Sequence, residues 1–476
     1  MTAIKTKKAT EFINDKKIRE ILASAAAKAN DRPLVLSIIE KARAAQGLSL
    51  EETAILLHVT DRDLVDRFMA AAGEIKEKIY GKRIVIFAPL YLSNYCVNQC
   101  AYCGYKECNE NMARKKVTME ELAQEVRVLQ SLGHKRLALE AGEDPVNCPI
   151  EFILESMKTI YSLHFENGSI RRANINIAAT TVENYRKLKE AGIGTYILFQ
   201  ETYHKETYER QHPKGPKHDY EYHATAMDRA MEGGIDDVGF GVLYGLYDYK
   251  YDTIGMMMHK EHLEEVFGVG PHTISVPRLK PADGMDLSDY PHMVTDEEFI
   301  KIVAIIRLSV PYTGIILSTR EGGEFRSKVI EAGVSQISAG SCTGVGGYVH
   351  EYEDPKGPVE ETKQFEVEDH RSPVEILKEL CDTDHVPSYC TACYRKGRTG
   401  DRFMRLAKSG QIHNVCLPNA LMTFKEFLMD YADDELREKG AAVIKKSLAD
   451  INSEQVRTLT REQLEKIESG TRDLYL

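Results

Sequence analysis

The sequence predicts an α/β fold: one complete (β/α)8 TIM barrel, a helical N-terminal extension and a mostly helical C-terminal domain. The length of 476 residues suits a barrel of about 250 residues with additions at both ends. Eight short runs rich in β-branched residues lie between residues 83 and 340. Amphipathic helical stretches separate these runs, and this alternation is typical of parallel strands joined by crossover helices. An open doubly wound sheet is the competing architecture.

We expect three units along the chain. Residues 1–82 have apolar residues at helical spacing and form the extension, residues 83–345 form the barrel, and residues 346–476 form the C-terminal domain. The eight predicted strands begin at Ile84, Arg136, Asn174, Thr195, Val238, His272, Gly314 and Ser335. In such a barrel, the loops that follow the strands carry the chemistry.

The composition excludes some classes of partner. The formal net charge is -11, which argues against general affinity for nucleic acids. The sequence begins without the apolar run of a signal peptide, and it has no stretch of about 18 apolar residues. We therefore expect a cytoplasmic protein that does not bind membranes. In a reducing compartment, grouped cysteines indicate metal binding or catalysis more often than disulfides.

Three of the ten cysteines stand on one short loop after the first predicted strand. Cys96, Cys100 and Cys103 have C-x3-C-x2-C spacing, so their sulfurs are able to converge on one metal centre. A cubane iron-sulfur cluster normally takes one thiolate per iron, so three cysteines leave one iron open. A structural zinc site is the alternative, but it needs a fourth ligand, and only Cys108 is near. The spacing resembles that of radical SAM enzymes, which implies a 4Fe-4S cluster that binds S-adenosylmethionine (SAM) at the open iron.

Residues near the first two predicted strands are candidates for binding SAM. Tyr102 is the aromatic residue directly before the last cysteine of the triplet. Ala141, Gly142 and Glu143 follow the second strand and resemble the GGE element of radical SAM proteins, which holds the SAM amino group. Small residues there allow the backbone to approach a ligand closely. An ordinary turn explains the same residues equally well.

The end of the fourth predicted strand supplies further candidates. A carboxylate at a strand end is able to hydrogen-bond a ribose or an ammonium group, so Glu201 is a candidate for SAM binding. His223 and Arg229 lie on the next helix and are able to pair with the SAM carboxylate. For all three residues, a solvated surface position is the competing interpretation.

Two arginines follow the sixth and seventh predicted strands. The planar guanidinium groups of Arg278 and Arg320 suit bidentate binding of a carboxylate, which favours an amino acid as substrate. Arginines at such positions also brace neighbouring loop carboxylates, and this alternative stays open.

A second cysteine triplet lies in the C-terminal domain. Cys390, Cys393 and Cys416 have C-x2-C-x22-C spacing, which again provides three ligands and leaves one position open. A second iron-sulfur cluster is one interpretation. A structural zinc site is the other, with His413 or Cys381 as the fourth ligand.

Taken together, four stretches of the chain resemble one family, HydG, the radical SAM tyrosine lyase maturases of iron-only (FeFe) hydrogenases. The matching stretches are residues 93–104, 200–204 and 270–278, and the cysteine pattern that begins at Cys390. The thiamine-pathway tyrosine lyase, 2-iminoacetate synthase, is similar through the barrel but lacks the C-terminal cysteines. On physical grounds alone, His272 is more often a hydrogen-bonded core residue than a metal ligand.

The resemblance implies a two-stage reaction. L-Tyrosine is cleaved at its Cα–Cβ bond to p-cresol and dehydroglycine, which is then converted to carbon monoxide and cyanide on iron for the hydrogenase active site, the H-cluster. It implies two 4Fe-4S clusters and SAM, with an additional labile iron at the second cluster and His272 as a ligand of that iron. The implied partners are an electron donor, such as ferredoxin or flavodoxin, and other hydrogenase maturases. A non-catalytic iron-sulfur scaffold is the competing function.

Overall fold

The computed structural model describes residues 7–281, 285–353 and 362–476. Small parts of all three predicted units, residues 1–6, 282–284 and 354–361, therefore lie outside the described residues. The strands are β1 (Arg83–Ser93), β2 (Arg136–Ala141), β3 (Arg172–Asn176), β4 (Tyr196–Ile197), β5 (Val238–Gly241), β6 (Thr273–Ser275), β7 (Gly314–Leu317), β8 (Gln336–Ser338) and β9 (Val386–Ser388).

The first eight strands form a closed parallel barrel. Their order in the sheet is β2-β3-β4-β5-β6-β7-β8-β1-β9, and β1 pairs with β2 as well as with β8. Ala88 of β1 lies opposite Leu137 of β2, and Val85 lies opposite Gln336 of β8. This closure confirms the predicted TIM barrel and excludes the open doubly wound sheet. All eight predicted strands are present.

Between residue 7 and the barrel, the structure has five helices: α1 (Ala9–Phe12), α2 (Asp15–Lys28), α3 (Arg32–Arg43), α4 (Leu50–His58) and α5 (Arg62–Tyr80). Ser49 and Glu52 form a capping box that starts α4. The buried stripe of α5 includes Leu64, Phe68 and Ile75, which recur at helical spacing. These helices pack on the outside of the barrel, mainly against the two helices that precede β6 and β7.

Helices that follow β1 to β8 surround the barrel. They are α6 (Met119–Ser131), α7 (Ile150–Ser162), α8 (Val182–Glu190), α9 (Lys205–Gln211), α10 (Tyr220–Ala224), α11 (Ala226–Glu232), α12 (Tyr249–Phe267), α13 (Asp296–Ser309), α14 (Gly323–Glu331) and α15 (Gly347–Glu353). Capping boxes at Thr118 and Thr295 define the starts of α6 and α13. Two short 3-10 turns cover Pro216–His218 and Leu287–Asp289.

Residues 362–476 form β9 and six helices: α16 (Pro373–Asp382), α17 (Ala392–Arg395), α18 (Gly400–Lys408), α19 (His413–Asp430), α20 (Asp434–Ala449) and α21 (Glu454–Glu468). β9 extends the sheet beside the start of β1, where Arg83 lies opposite Val386. Arg171, just before β3, donates to Glu426 of α19 at 2.6 Å, and both side chains are buried. The C-terminal helices therefore lie at the amino ends of the barrel strands.

One core of buried apolar side chains runs from α1 through the barrel to α21. The predicted boundaries at residues 82/83 and 345/346 stay predictions. No helix in the described ranges is long and apolar enough to cross a membrane.

Arg307 of α13 stabilises the loops that lead into β7 and β8. Its guanidinium is fully buried and donates to the backbone oxygens of Gly333, Pro311 and Thr313 at 2.8 to 3.0 Å. Burial lowers the pKa of Arg307 to about 10, so the group stays charged at neutral pH. Because a charged donor satisfies three buried carbonyls, removing it leaves all three without a partner.

We expect the Arg307→Met substitution to reduce the free energy of unfolding by about 3 kcal/mol or more, because each buried carbonyl left without a donor is destabilising. Chemical denaturation followed by circular dichroism measures this change. Arg62→Met is the matched control, because Arg62 is 76% exposed; its effect should stay within about 0.5 kcal/mol. Equal midpoints for the two variants would contradict the assigned role of Arg307.

Candidate functional site

A cavity of about 230 Å³ lies at the carboxyl ends of the barrel strands. Cys96, Cys100 and Cys103 line it together. Burial, with a smaller contribution from the neighbouring Cys96, raises the pKa of the Cys100 and Cys103 thiols. Other residues that the sequence singles out also line this cavity: Tyr102, Ala141, Gly142, Glu143, Glu201, His223 and Arg320.

The cysteine loop rests on the segment that follows β2. The amide of Gly142 donates to the backbone oxygen of Ser93 at 2.9 Å. The amide of Val97 donates to the backbone oxygen of Glu143 at 2.8 Å. A Cβ atom on Gly142 would lie 2.3 Å from the backbone oxygen of Tyr95. The glycine is therefore required because the cysteine loop itself approaches closely.

A second contact network joins the cysteine loop to residues after β4. The side-chain nitrogen of Asn98 donates to Glu143 at 2.6 Å, and its side-chain oxygen accepts from the amide of Lys217 at 2.9 Å. Nζ of Lys217 donates to Glu201 at 2.7 Å. The sequence does not indicate a role for Asn98 or Lys217. Asn98 lies between the cysteines of the first triplet, but its contact with Lys217 joins segments 119 residues apart.

Two predicted SAM-binding residues have other contacts here. Nε2 of His223 donates to the backbone oxygen of Phe199 at 2.8 Å, and burial lowers the pKa of His223 to about 3. His223 is therefore a neutral donor at the cavity wall. Arg229 donates to the backbone oxygens of Thr180 and Tyr222 and stacks on the Tyr222 ring at 3.8 Å. It is not among the described residues that line the cavity.

The two predicted carboxylate-binding arginines differ in their surroundings. Arg278 pairs with both oxygens of Glu321, at 2.9 and 2.6 Å, and also with Asp296 at 2.7 Å. These contacts brace the loops, and Arg278 is absent from the described lining of the cavity. Arg320 lines the cavity, and its guanidinium stacks on Phe365 at 3.5 Å. Within the described chain, Arg320 has no acidic side chain as an ion-pair partner.

A buried carboxyl group accompanies Arg320 in the cavity. Glu140, in β2, lines the same wall as Asn176 at the end of β3. Burial raises the pKa of Glu140 to about 8, although the Arg320 charge and a hydrogen bond with Asn176 oppose this. The cavity therefore has a cation without an acidic partner beside a carboxyl group that holds its proton near neutral pH.

A smaller cavity of about 50 Å³ lies at the opposite end of the barrel. Its C-terminal side is formed by Cys390, Cys393 and Cys416. His272 and residues from the strand starts complete the wall, among them Arg83 and Arg136. The second cysteine triplet therefore closes the amino end of the barrel, an arrangement that the sequence does not show.

The thiols of the second triplet differ in acidity. Burial raises the pKa of Cys390, and the hydrogen bond to Cys416, together with burial, raises that of Cys393. The Cys393 thiol donates to Cys416, and this hydrogen bond, together with the nearby Arg83 guanidinium, holds the pKa of Cys416 below its usual range. Cys416 also lies in the first turn of α19, where the helix dipole favours negative charge. Nδ1 of His272 lies 3.4 Å from Asp237, and it has no hydrogen-bond partner among the described residues.

The chemistry of both sites suits iron-sulfur clusters. Each site offers three cysteine sulfurs at the wall of one cavity, which leaves one position open for another ligand. Within the described ranges, no group of three or more His, Cys, Asp or Glu side chains is arranged to hold a single metal ion. Neither His413 nor Cys381, the two alternatives for the fourth ligand of a zinc site, is in the described lining of the smaller cavity.

A thin layer of side chains separates the two cavities. On β1, Val85 lines the smaller cavity and Phe87 lines the larger one. The same relation holds for three further pairs: Arg136 and Ala138, Gly314 and Ile316, and Gln336 and Ser338. Inward-facing residues alternate along a strand, so neighbouring members of each pair are about 7 Å apart.

Comparisons with known proteins agree with this architecture. The Radical SAM superfamily model matches residues 90–264, and the Biotin and Thiamin Synthesis associated domain matches residues 275–385. The 2-iminoacetate synthase of Salmonella typhimurium is 29% identical over 344 residues, which cover 72% of this chain and 87% of that protein.

Two solved structures match this chain over nearly its whole length. A structure of the FeFe-hydrogenase maturase HydG from Carboxydothermus hydrogenoformans is 37% identical, with a TM-score of 0.81, and the match covers 96% of this chain and 100% of that chain. A crystal structure of HydG, described as a maturase of the FeFe hydrogenase, is 62% identical with a TM-score of 0.94 and covers 98% of this chain and 100% of that chain. On this similarity, the protein belongs to the HydG family of FeFe-hydrogenase maturases, within the radical SAM superfamily.

Proposed function

We propose that the protein is a radical SAM tyrosine lyase that cleaves the Cα–Cβ bond of L-tyrosine to p-cresol and dehydroglycine. We further propose that it converts dehydroglycine to carbon monoxide and cyanide, retained on iron at the second cysteine triplet for H-cluster assembly. The observation that carries this proposal is the presence of two cavities, each lined by three cysteines, at opposite ends of one barrel. Family membership supports both stages.

The larger cavity is the proposed lyase site. Cys96, Cys100 and Cys103 would hold a 4Fe-4S cluster there, and the wall formed by Ala141 to Glu143 would hold SAM, with Tyr102, Glu201 and His223 around it. When bound, the cluster and SAM supply a deoxyadenosyl radical that removes a hydrogen atom from the substrate amino group. The chain itself orients the reactants and excludes water.

Arg320 is the proposed anchor of the substrate carboxylate. Its guanidinium faces the larger cavity without an acidic partner in the described chain, whereas Arg278 is already paired with Glu321. A planar guanidinium suits two-point binding of a carboxylate. The substrate would then lie beside Glu140 inside the barrel.

The closed barrel is the proposed route between the two stages. Dehydroglycine is an imine that water hydrolyses, so a route through the interior protects it from solvent. The thin layer of side chains between the cavities keeps this route short. At the smaller cavity, Cys390, Cys393 and Cys416 would hold the second cluster, and His272 would bind the labile iron that carries the products. Ferredoxin or flavodoxin and other maturases are the proposed partners.

One assay separates this proposal from its alternatives. The anaerobic protein, reconstituted with iron and sulfide, is given SAM, dithionite and tyrosine. The proposed function predicts p-cresol together with carbon monoxide and cyanide. A lyase of the 2-iminoacetate synthase type would form p-cresol and glyoxylate only, and a scaffold would form none of these products.

We expect Cys96→Ala to abolish deoxyadenosine formation, because the first cluster loses a ligand. Cys393→Ala should retain p-cresol formation but lose carbon monoxide, since it disrupts only the second site. Chromatography of deoxyadenosine and p-cresol, with haemoglobin trapping of carbon monoxide, measures both results. Cys108→Ala is the control, because Cys108 is exposed and should retain all products. Unimpaired carbon monoxide from Cys393→Ala would overturn the assignment of the second site.

We expect Arg320→Gln to raise the KM for tyrosine roughly 10- to 100-fold, because a charged hydrogen-bond donor to the carboxylate is lost. Arg278→Gln should leave this KM within about twofold and instead lower the thermal midpoint, because Arg278 braces loops through Glu321. Initial rates of p-cresol formation at varied tyrosine concentration measure the KM. The opposite pattern would move the substrate anchor to Arg278.

A further inference from the structure

Residues 211–218, which we call the strap, lie across the cysteine loop. The amide of Gln99 donates to the backbone oxygen of Lys214 at 3.1 Å. Gly215 of the strap has a φ of 98°, and a Cβ atom there would lie 2.8 Å from Cα of Asn98. Only glycine allows this conformation and this close approach without strain. The strap is therefore closely fitted to the loop that carries the first cysteine triplet.

Lys217 extends from the strap into the larger cavity. Its side chain is 17% exposed, and Nζ donates to Glu201 at 2.7 Å. The ammonium group also lies 5.8 Å from the centre of the Tyr102 ring. The ion pair with Glu201 favours the charged form of Lys217, and Cys100 and Cys103 line the same cavity. A positive charge is therefore held beside the cysteine sulfurs.

The backbone of Glu201, which carries the partner carboxylate, has a fixed conformation. Glu201 has a φ of 69°, which is uncommon for a residue with a side chain. Its backbone oxygen accepts from the amide of Leu243 at 2.9 Å, and a bridge to Val242 fixes the same segment. Such backbone strain persists where the surrounding structure imposes it. Lys217 and Glu201 thus form an ion pair of fixed geometry at the cavity wall, with the lysine charge extended from the strap.

The strap offers an internal comparison. Lys214 lies three residues before Lys217 and carries the same charge, but its side chain is 63% exposed and pairs with Glu107 at 3.0 Å. It is absent from the described lining of the cavity. Solvent screens an exposed charge, whereas a buried charge acts strongly on its neighbours. The two lysines therefore differ in electrostatic effect on the cavity and not in formal charge.

We propose that Lys217 sets the electron affinity of the first cysteine site by placing a buried positive charge beside it. This inference rests on the proposed function, in which Cys96, Cys100 and Cys103 hold a redox-active cluster. Taking up one electron adds negative charge to a site that already has three thiolates. A nearby ammonium stabilises that added charge, and net charge and solvent exposure are known to tune the reduction potentials of such clusters.

The test is an anaerobic redox titration of the reconstituted protein, followed by electron paramagnetic resonance, without tyrosine. We expect Lys217→Met to lower the ratio of reduced to oxidised first cluster about tenfold at a fixed potential, equivalent to about 59 mV for one electron. Lys217→Arg keeps the charge and should stay within about twofold of the unmodified protein. Glu201→Gln leaves the lysine charge unbalanced, so it should shift the ratio in the opposite direction. The Cys393→Ala background removes the signal of the second site.

Lys214→Met is the matched control, because it removes the same charge from the exposed side of the strap. We expect Lys214→Met to leave the ratio of reduced to oxidised first cluster unchanged. An unchanged ratio in Lys217→Met, or equal shifts in Lys217→Met and Lys214→Met, would overturn the inference. If Lys217→Met assembles no cluster, the Glu201→Gln variant provides the test. A higher ratio of reduced to oxidised cluster in that variant supports the inference, and an unchanged or lower ratio overturns it. Failure of the proposed function is distinguishable, because the unmodified protein would then give no SAM-sensitive signal on reduction.

Discussion

The pairing of β1 with three other strands is the constraint on which both cysteine sites depend. β1 closes the barrel with β2 and β8, and its first residues also pair with β9. The chain leaves β1 at Ser93 shortly before Cys96, and it leaves β9 at Ser388 shortly before Cys390. An unbroken strand of 11 residues, about 36 Å long, therefore fixes sites at both ends of the barrel. Neither triplet is held by local sequence alone.

Each of the two sites has three cysteines, but the charges and hydrogen bonds around the cysteines differ. Burial raises the pKa of Cys100 in the first site, and the cation nearby is a lysine already paired with Glu201. In the second site, Arg83 and a hydrogen bond from Cys393 favour the thiolate form of Cys416. The same hydrogen bond raises the pKa of Cys393, so Cys416 is the one thiol of the second triplet that its surroundings favour as a thiolate.

The barrel was predictable from sequence because each strand is a local pattern of β-branched residues between amphipathic helices. β9 was missed because Pro387 lies at its centre, and a proline weakens a strand signal and suits an edge position. The first cysteine loop is a contiguous motif, whereas the choice between Arg278 and Arg320 depends on Glu321, which only tertiary structure places beside Arg278. A role for Lys217 was not predictable either, since only the folded chain brings it beside Asn98 and the cysteine loop. The roles of the individual site residues stay predictions.

The narrow separation of the two cavities has a consequence for affinity. One small molecule confined to a space of about 230 Å³ has an effective concentration on the order of several molar. Under the proposed function the molecule passes from this cavity to the far end of the barrel, where a binding group would capture it even with an intrinsic dissociation constant in the millimolar range. Confinement would then replace tight recognition, and the capturing site would be free to be shaped for chemistry.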